Sequence, residues 1–397
     1  MPRGGVGTAL QRIALVCPYS LSRPGGVQGQ VLGLARTLTG RGHRVAVFAP
    51  VDHGAEIPDG VELVVTGHST SLPANGSVAP VSVSPMALHR AMADLRGWMP
   101  DVVHVHEPFA PGLSFGLLAG RSPAPVIGTF HRSGGSALYT LLGPVARRAA
   151  RHLTLRCAVS AAAVATAEHA LGGTYDILFN GIEVDRFTGV GPWPTTGPTA
   201  LFLGRHEERK GLAVLLEAWD RYLAGTDPNG TLDAAPVLWV AGDGPETERL
   251  RRRHPESESV RWLGVLNEEE KVRRLVGADL LCAPALGGES FGMVLLEAMA
   301  ARTVVVASDI DGYRNAAGGL AVLSPPGDAL ALSVALGGVF DGVLALQSDQ
   351  PGTGPDAGSG RSGWLEGGSA RAAGWSMESL AGQYEERYQA VVVGYGS

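Results

Sequence analysis

The sequence predicts two doubly wound α/β domains in tandem, and three observations carry that expectation. Short continuous apolar runs recur along the chain and suit strands buried on both faces. Segments with apolar residues at helical spacing lie between them. One run rich in glycine and proline, 189–198, splits the alternation into two series.

The first run, Ile13-Ala-Leu-Val-Cys17, reads as a strand, and Pro24, Gly25 and Gly26 form the loop after it. Val31, Leu34, Ala35 and Leu38 then mark a helix, Gly42 ends it, and 45–48 is the next strand. This βαβ unit implies a parallel sheet. Strands follow at 61–65, 101–106, 126–130, 155–159 and 176–179, with a helix over 86–99, giving a first Rossmann-like domain over 1–188. The second domain, 199–376, opens with a strand at 200–203 and a helix at 212–223. Further strands fall at 237–241, 260–263, 280–283 and 304–307. The stretch 348–362, rich in Gly, Ser, Asp and Pro, reads as a surface insertion. A last helix, within 377–397, is expected to return onto the first domain. Open parallel sheets bind ligands beyond the carboxyl ends of their strands, so two of them are expected to share an interdomain cleft.

Composition narrows the partners. The chain has 397 residues, 45% of them hydrophobic and 18% charged, which suits two buried cores. A net charge of -6 disfavours a bulk electrostatic grip on nucleic acid. Cys17, Cys157 and Cys282 lack metal-ligand or redox spacing and read as buried reduced thiols. The first ten residues contain no apolar signal-peptide core. No apolar run reaches the roughly 18 residues of a membrane span. The longest, 329–346, is broken by Ser333, Gly337, Gly338, Asp341 and Gly342. A cytoplasmic protein able to sit on the inner membrane face is expected.

Candidate chemistry clusters just after strands. Gly25 and Gly26 sit where backbone N–H groups and a helix N-terminus can approach an anion, although a Gly-Gly pair also occurs simply as a turn. Arg205 and Lys210 flank the tip of a strand in Gly204-Arg-His-Glu-Glu-Arg-Lys-Gly211. They are placed to neutralise a diphosphate, unless the loop is only a solvated charged surface. Ser290 reads as the N-cap of a helix running through Met299. Glu289 then lies at its mouth and Glu297 on it, about 12 Å further along by helical rise. Two carboxylates so separated would reach different parts of an extended ligand. His131 ends a strand, where it can bond a sugar hydroxyl or a leaving phosphate. His104 and His106 alternate on one strand without the complement of ligands that a metal needs.

These residues fall in stretches that resemble a known family: Val16-Cys-Pro-Tyr-Ser20 with Pro24-Gly-Gly-Val-Gln28, Val105-His-Glu-Pro108, Thr129-Phe-His131, Asn180-Gly-Ile-Glu183, Phe202-Leu-Gly-Arg205 with Arg209-Lys-Gly211, and Gly287-Gly-Glu-Ser-Phe-Gly292 through Glu297-Ala-Met-Ala300. The chain resembles the retaining GT-B glycosyltransferases of family 4, and within them the branch that mannosylates phosphatidylinositol. The resemblance implies GDP-mannose as donor and phosphatidylinositol as acceptor. It implies no required metal, with Mg able to assist some members. It assigns the donor to Gly25, Gly26, Arg205, Lys210, Glu289, Ser290, Phe291, Gly292 and Glu297. His131, Arg205, Lys210 and Glu289 become the catalytic set, and Tyr19, Asn75 and Ser77 the acceptor contacts.

Three departures fall on the acceptor side. No cation follows Asn75-Gly-Ser-Val78, where that branch carries arginines. The helix over 86–99 offers only His89, Arg90 and Arg96 in place of a dense basic cluster. The segment after His131 reads Arg132-Ser-Gly-Gly-Ser136, without a lysine. A family-4 enzyme with another nucleotide-sugar or a soluble acceptor, and a non-catalytic nucleotide-sugar binding module, therefore stay open. A dinucleotide oxidoreductase is disfavoured, because no G-x-G-x-x-G follows the first strand.

Overall fold

Strand β1 (Arg12–Val16) lies between two parallel neighbours, β2 (Arg44–Ala49) and β6 (Val102–His106), in a computed structural model that describes residues 10–23, 25–74, 77–119, 122–132, 143–225, 234–289, 291–341 and 360–396. The chain divides into two units. Unit 1 is Met1–Gly181 with Met377–Ser397, and unit 2 is Ile182–Ser376. The division falls at Gly181/Ile182, ahead of the Gly/Pro-rich run. That run belongs to unit 2, where Trp193 donates its N–H to the Arg273 carbonyl (2.8 Å). The Arg274 guanidinium lies over Trp193 at 4.1 Å and over Trp239 at 4.3 Å.

Unit 1 holds a seven-stranded sheet in the order β3-β2-β1-β6-β7-β8-β9, where β3 is Glu62–Val65, β7 Val126–Phe130, β8 Leu155–Ala158 and β9 Asp176–Ile177. Every pairing in it is parallel. Alternation along β1 sends its side chains to two cores. Ile13 and Leu15 pack with helix Gly26–Gly40 and the last helix, Met377–Gly396. Ala14 and Val16 face Leu95, Leu117 and Leu171 from the helices of the other side. An antiparallel hairpin, β4 (Thr70–Ala74) with β5 (Ser77–Val81), precedes helix Pro85–Trp98.

The last helix joins unit 1 through Met377, Leu380, Ala381, Tyr384, Tyr388 and Val391, an apolar stripe at three- and four-residue steps. A buried ion cluster pins it. Gln11 N–H donates to His43 Nδ1 at 3.2 Å, which leaves Nε2–H to donate to Glu385 at 2.8 Å. Arg41 adds bonds of 2.7 and 2.6 Å to the same carboxylate. Burial works to raise the Glu385 carboxyl, but the bonds from Arg41 and His43 outweigh it and hold the group below its ordinary range. Glu385→Ala is expected to cost about 3 kcal/mol, because Arg41 and His43 lose their buried partner. Urea unfolding of both proteins measures it. The wild-type advantage should shrink as pH falls through the depressed carboxylate range, since both folded and unfolded chains are then protonated there. A difference that is small at neutral pH or constant with pH would refute this account.

Unit 2 repeats the architecture with six strands, ordered β12-β11-β10-β13-β14-β15 and all parallel. These are β10 (Thr199–Leu203), β11 (Val237–Ala241), β12 (Val260–Gly264), β13 (Leu280–Ala283), β14 (Val304–Ser308) and β15 (Val322–Ser324). Trp219, on helix Leu212–Gly225, is fully buried against Tyr222 and Phe340. The surface insertion expected over 348–362 is corrected at its end, because a helix starts at Gly360 and runs to Gly374. Residues 342–359 lie outside the described ones. Among the described residues, no helix is long and apolar enough to cross a membrane.

Candidate functional site

In unit 2 the loop after β10 and the loop after β13 meet through a chain of alternating charges. Arg205 Nη2 lies 3.1 Å from Glu207 Oε1, and Arg209 Nε lies 2.9 Å from Glu207 Oε2. Arg209 Nη1 continues to Glu289 Oε1 at 2.7 Å, and Lys210 Nζ reaches the same oxygen at 2.6 Å. Three cations thus share two carboxylates. The backbone fixes the approach: Leu286 N–H donates to the Arg209 carbonyl at 2.8 Å. Gly211, at φ 70°, lies so close to Pro284 that an added Cβ would stand 1.9 Å from its carbonyl oxygen. Only glycine fits a positive φ and that approach together.

Arg205, Lys210 and Glu289 are therefore brought into one cluster. Glu297 is not part of it. From helix Met293–Ala300, it accepts from Lys271 Nζ at 2.7 Å, and Lys271 also lies 3.7 Å from Glu268. Lys271 is a cation that the sequence hid within the run Asn267-Glu-Glu-Glu-Lys271, which looks like a solvated helix face. Arg209, which the sequence offered only as part of the stretch Arg209-Lys-Gly211, proves to be the bridge.

The helix mouth is a correction. Ser290 lies outside the described residues, and the helix starts at Met293 with Gly292 as its N-cap, at φ 79° and without a side-chain cap bond. A Cβ on Gly292 would stand 2.8 Å from the Tyr313 ring. Phe291 is buried, with its ring 4.8 Å from the Trp375 ring.

In unit 1 the corresponding strand ends carry a second group. Helix Gly26–Gly40 starts directly after Gly25, whose backbone is extended and offers no side-chain cap. Gln28 braces the loop by donating to the Ser20 and Arg23 carbonyls, both at 3.3 Å. A Cβ on Gly26 would meet nothing within 4 Å, so there is open space beside the backbone at the start of this helix. Tyr19 bridges to Val81 of the hairpin, and burial followed by the Glu107 charge pushes its phenol up. Asn75 lies outside the described residues, while Ser77 begins β5 opposite Ala74.

His131 follows β7, and three groups fix it. Glu107 Oε1 accepts from the His131 backbone N–H at 2.7 Å, and His106 Nδ1 lies 2.9 Å from His131 Nε2. Asn180 adds a side-chain hydrogen bond to the ring. Glu107 holds a left-handed backbone, φ 47°, which is strained for a residue with a Cβ and costs about 1–3 kcal/mol. Burial raises its carboxyl despite the His131 and Arg132 backbone bonds. Burial also lowers His131 to about 4 and His104 to about 3. His104 is spent on Tyr388 and Thr129, at 2.7 and 2.8 Å.

Comparison with known proteins follows the same division. Residues 24–186 match glycosyltransferase family 4, and residues 197–341 match glycosyl transferases group 1. The phosphatidyl-myo-inositol mannosyltransferase of Mycolicibacterium smegmatis is 39% identical over 341 residues, covering 83% of this chain and 85% of its own. A solved glycosyltransferase from Rickettsia africae ESF-5 superposes with a TM-score of 0.70 at 17% identity, over 96% of this chain and 99% of its own. Anabaena Alr3699/HepE, solved in complex with UDP-glucose, gives 0.68 at 18% identity, over 96% and 100%. At such identities the likeness shows the fold alone, that of two parallel-sheet domains known as GT-B.

Proposed function

The chain belongs to glycosyltransferase family 4, and on that premise we propose that it transfers mannose from GDP-mannose to phosphatidylinositol with retention of anomeric configuration. That it is a mannosyltransferase rests on its relatives. The observation that carries the donor side is the cluster of Arg205, Arg209 and Lys210 around Glu207 and Glu289. A sugar diphosphate brings negative charge to a place where three cations already share two carboxylates. Lys210 and Arg205 then stabilise the diphosphate as it leaves an oxocarbenium-like sugar. The resemblance to the family assigns Gly26 to the donor phosphates, His131 to the transferred sugar and Glu297 to the ribose, and we keep those assignments. The acceptor hydroxyl attacks from the face the leaving group departs, passing its proton to the leaving phosphate. Glu289 is committed to Lys210 and Arg209, which suits it to orient the sugar rather than attack it as a glycosidase nucleophile does. In this reading Arg205 and Lys210 supply the charge compensation on the diphosphate, so no metal ion is required, and Mg can assist.

The lipid acceptor would be met at a membrane surface. The weak basic character of helix Pro85–Trp98, where only Arg90, Arg96 and His89 carry or can gain positive charge, favours a second reading with a soluble inositol-phosphate acceptor. One experiment separates them. The protein is incubated with GDP-mannose or UDP-glucose, and with phosphatidylinositol vesicles or soluble inositol phosphate. Mass spectrometry identifies products and proton NMR gives the anomer. An α-mannosyl lipid formed only from GDP-mannose is the expected result. Product on the soluble acceptor alone supports the second reading, and transfer from UDP-glucose alone overturns the donor assignment.

A further inference from the structure

The geometry points to His106 as a positioning residue that sets the tautomer and ring plane of His131 for sugar transfer; this rests on the mannosyl-transfer reading above. His106 Nδ1 and His131 Nε2 are 2.9 Å apart, and the two rings lie nearly parallel, 27° apart with centroids at 5.1 Å. A hydrogen bond between two imidazole nitrogens holds one proton, so the state of one ring dictates the state of the other. Burial keeps both rings neutral near pH 7, which leaves two arrangements.

In the first, His106 carries its proton on Nδ1 and donates to His131 Nε2, and His131 carries its own proton on Nδ1. In the second, His131 donates from Nε2, and His106 must carry its proton on Nε2. That nitrogen is buried and has no hydrogen-bond partner among the described residues. A buried N–H with no acceptor is the rarer defect in folded proteins than a buried acceptor with no donor. Asn180, which has both an amide oxygen and an NH2, fits either arrangement. The choice therefore falls to His106, and it selects the first.

His106 is itself held. His104 stacks on it, with centroids 4.3 Å apart and planes 28° apart, and both His104 nitrogens are bonded, to Tyr388 and to Thr129. Tyr384 bonds Thr129 in turn at 2.8 Å. The consequence is a fixed tautomer and ring orientation at His131, with its Nδ1–H held toward the Asn180 side chain, so that a sugar hydroxyl or phosphate oxygen replacing that side chain meets a donor already in place.

The test labels the whole protein with 15N-histidine and reads the tautomer of His131 by NMR, with assignment from His131→Ala. Proton on Nδ1 in the wild type is expected, and proton on Nε2 overturns the inference without any activity measurement. His106→Phe should lose the fixed tautomer and lower kcat roughly 10- to 100-fold with KM for GDP-mannose within about threefold. His106→Asn, whose amide NH2 can replace the Nδ1 donor, should recover most of that loss. In a His131→Ala background, His106→Phe should change kcat no further. Multiplying losses in the double variant would mean that His106 only supports the fold, and would sink the proposal. A correct tautomer together with no mannosyl transfer from the wild type would leave this inference standing and remove the reaction assigned to the site.

Discussion

Replacing Lys210 by alanine is expected to lower kcat for mannosyl transfer by about two to three orders of magnitude, as loss of one well-placed group against transition-state charge does. Its ammonium lies 2.6 Å from Glu289 and is mostly covered, whereas the Arg205 side chain is 52% exposed. Arg205→Ala should therefore follow in the same direction with a smaller loss, because a more exposed charge is better screened. Both side chains sit on a surface loop held by backbone contacts at Arg209 and Gly211, so unfolding curves should match the wild type. Initial rates with GDP-mannose, alongside thermal melts, measure both. Near-normal turnover in both variants would remove the diphosphate from this loop.

The fold was legible because parallel strands buried on both faces leave continuous apolar runs. The segments 126–130, 237–241 and 280–283 were expected as strands and are strands to the residue. The hairpin Thr70–Ala74 and Ser77–Val81 was not, since Pro73 and Pro80 break the usual strand signature at what proves to be an isolated two-stranded pairing. Helix Gly360–Gly374 was hidden by its own composition, because the glycines in Gly360-Arg-Ser-Gly-Trp-Leu-Glu-Gly-Gly-Ser mimic a loop. Its place in the fold comes from packing on helix Met293–Ala300. The site shows the same division. Residue types at strand ends could be read along the chain, but pairings could not. Nothing in sequence distance joins Lys271 to Glu297 or His106 to His131, because each pair is made by the sheet or the helix packing that sets two segments side by side. The strain at Glu107 is likewise invisible before the backbone is known.

Glu289→Gln separates the two duties proposed for that residue, and its expected result has opposite signs in two constants. The carboxylate accepts from Arg209 at 2.7 Å and from Lys210 at 2.6 Å through one oxygen. Glutamine keeps the shape and removes the charge, so the cluster of three cations and two carboxylates goes from a formal +1 to +2. A nucleoside diphosphate should then bind more tightly. Two unit charges about 4 Å apart interact by up to roughly 4 kcal/mol near a protein surface. Solvent screening on partly exposed groups leaves a fraction of that, about tenfold in Kd for GDP, or ~1.4 kcal/mol. Turnover should move the other way, by about two orders of magnitude, if the carboxylate orients the sugar as positive charge develops on it. Tighter ground-state binding without better transition-state binding cannot raise kcat, so the two effects reinforce each other in lowering it. Calorimetry with GDP and initial rates with GDP-mannose read the two constants separately. Weaker GDP binding would mean that the carboxylate organises the cations rather than competing for them. Tighter binding with unchanged kcat would reduce Glu289 to a counter-charge and leave orientation of the sugar to other groups.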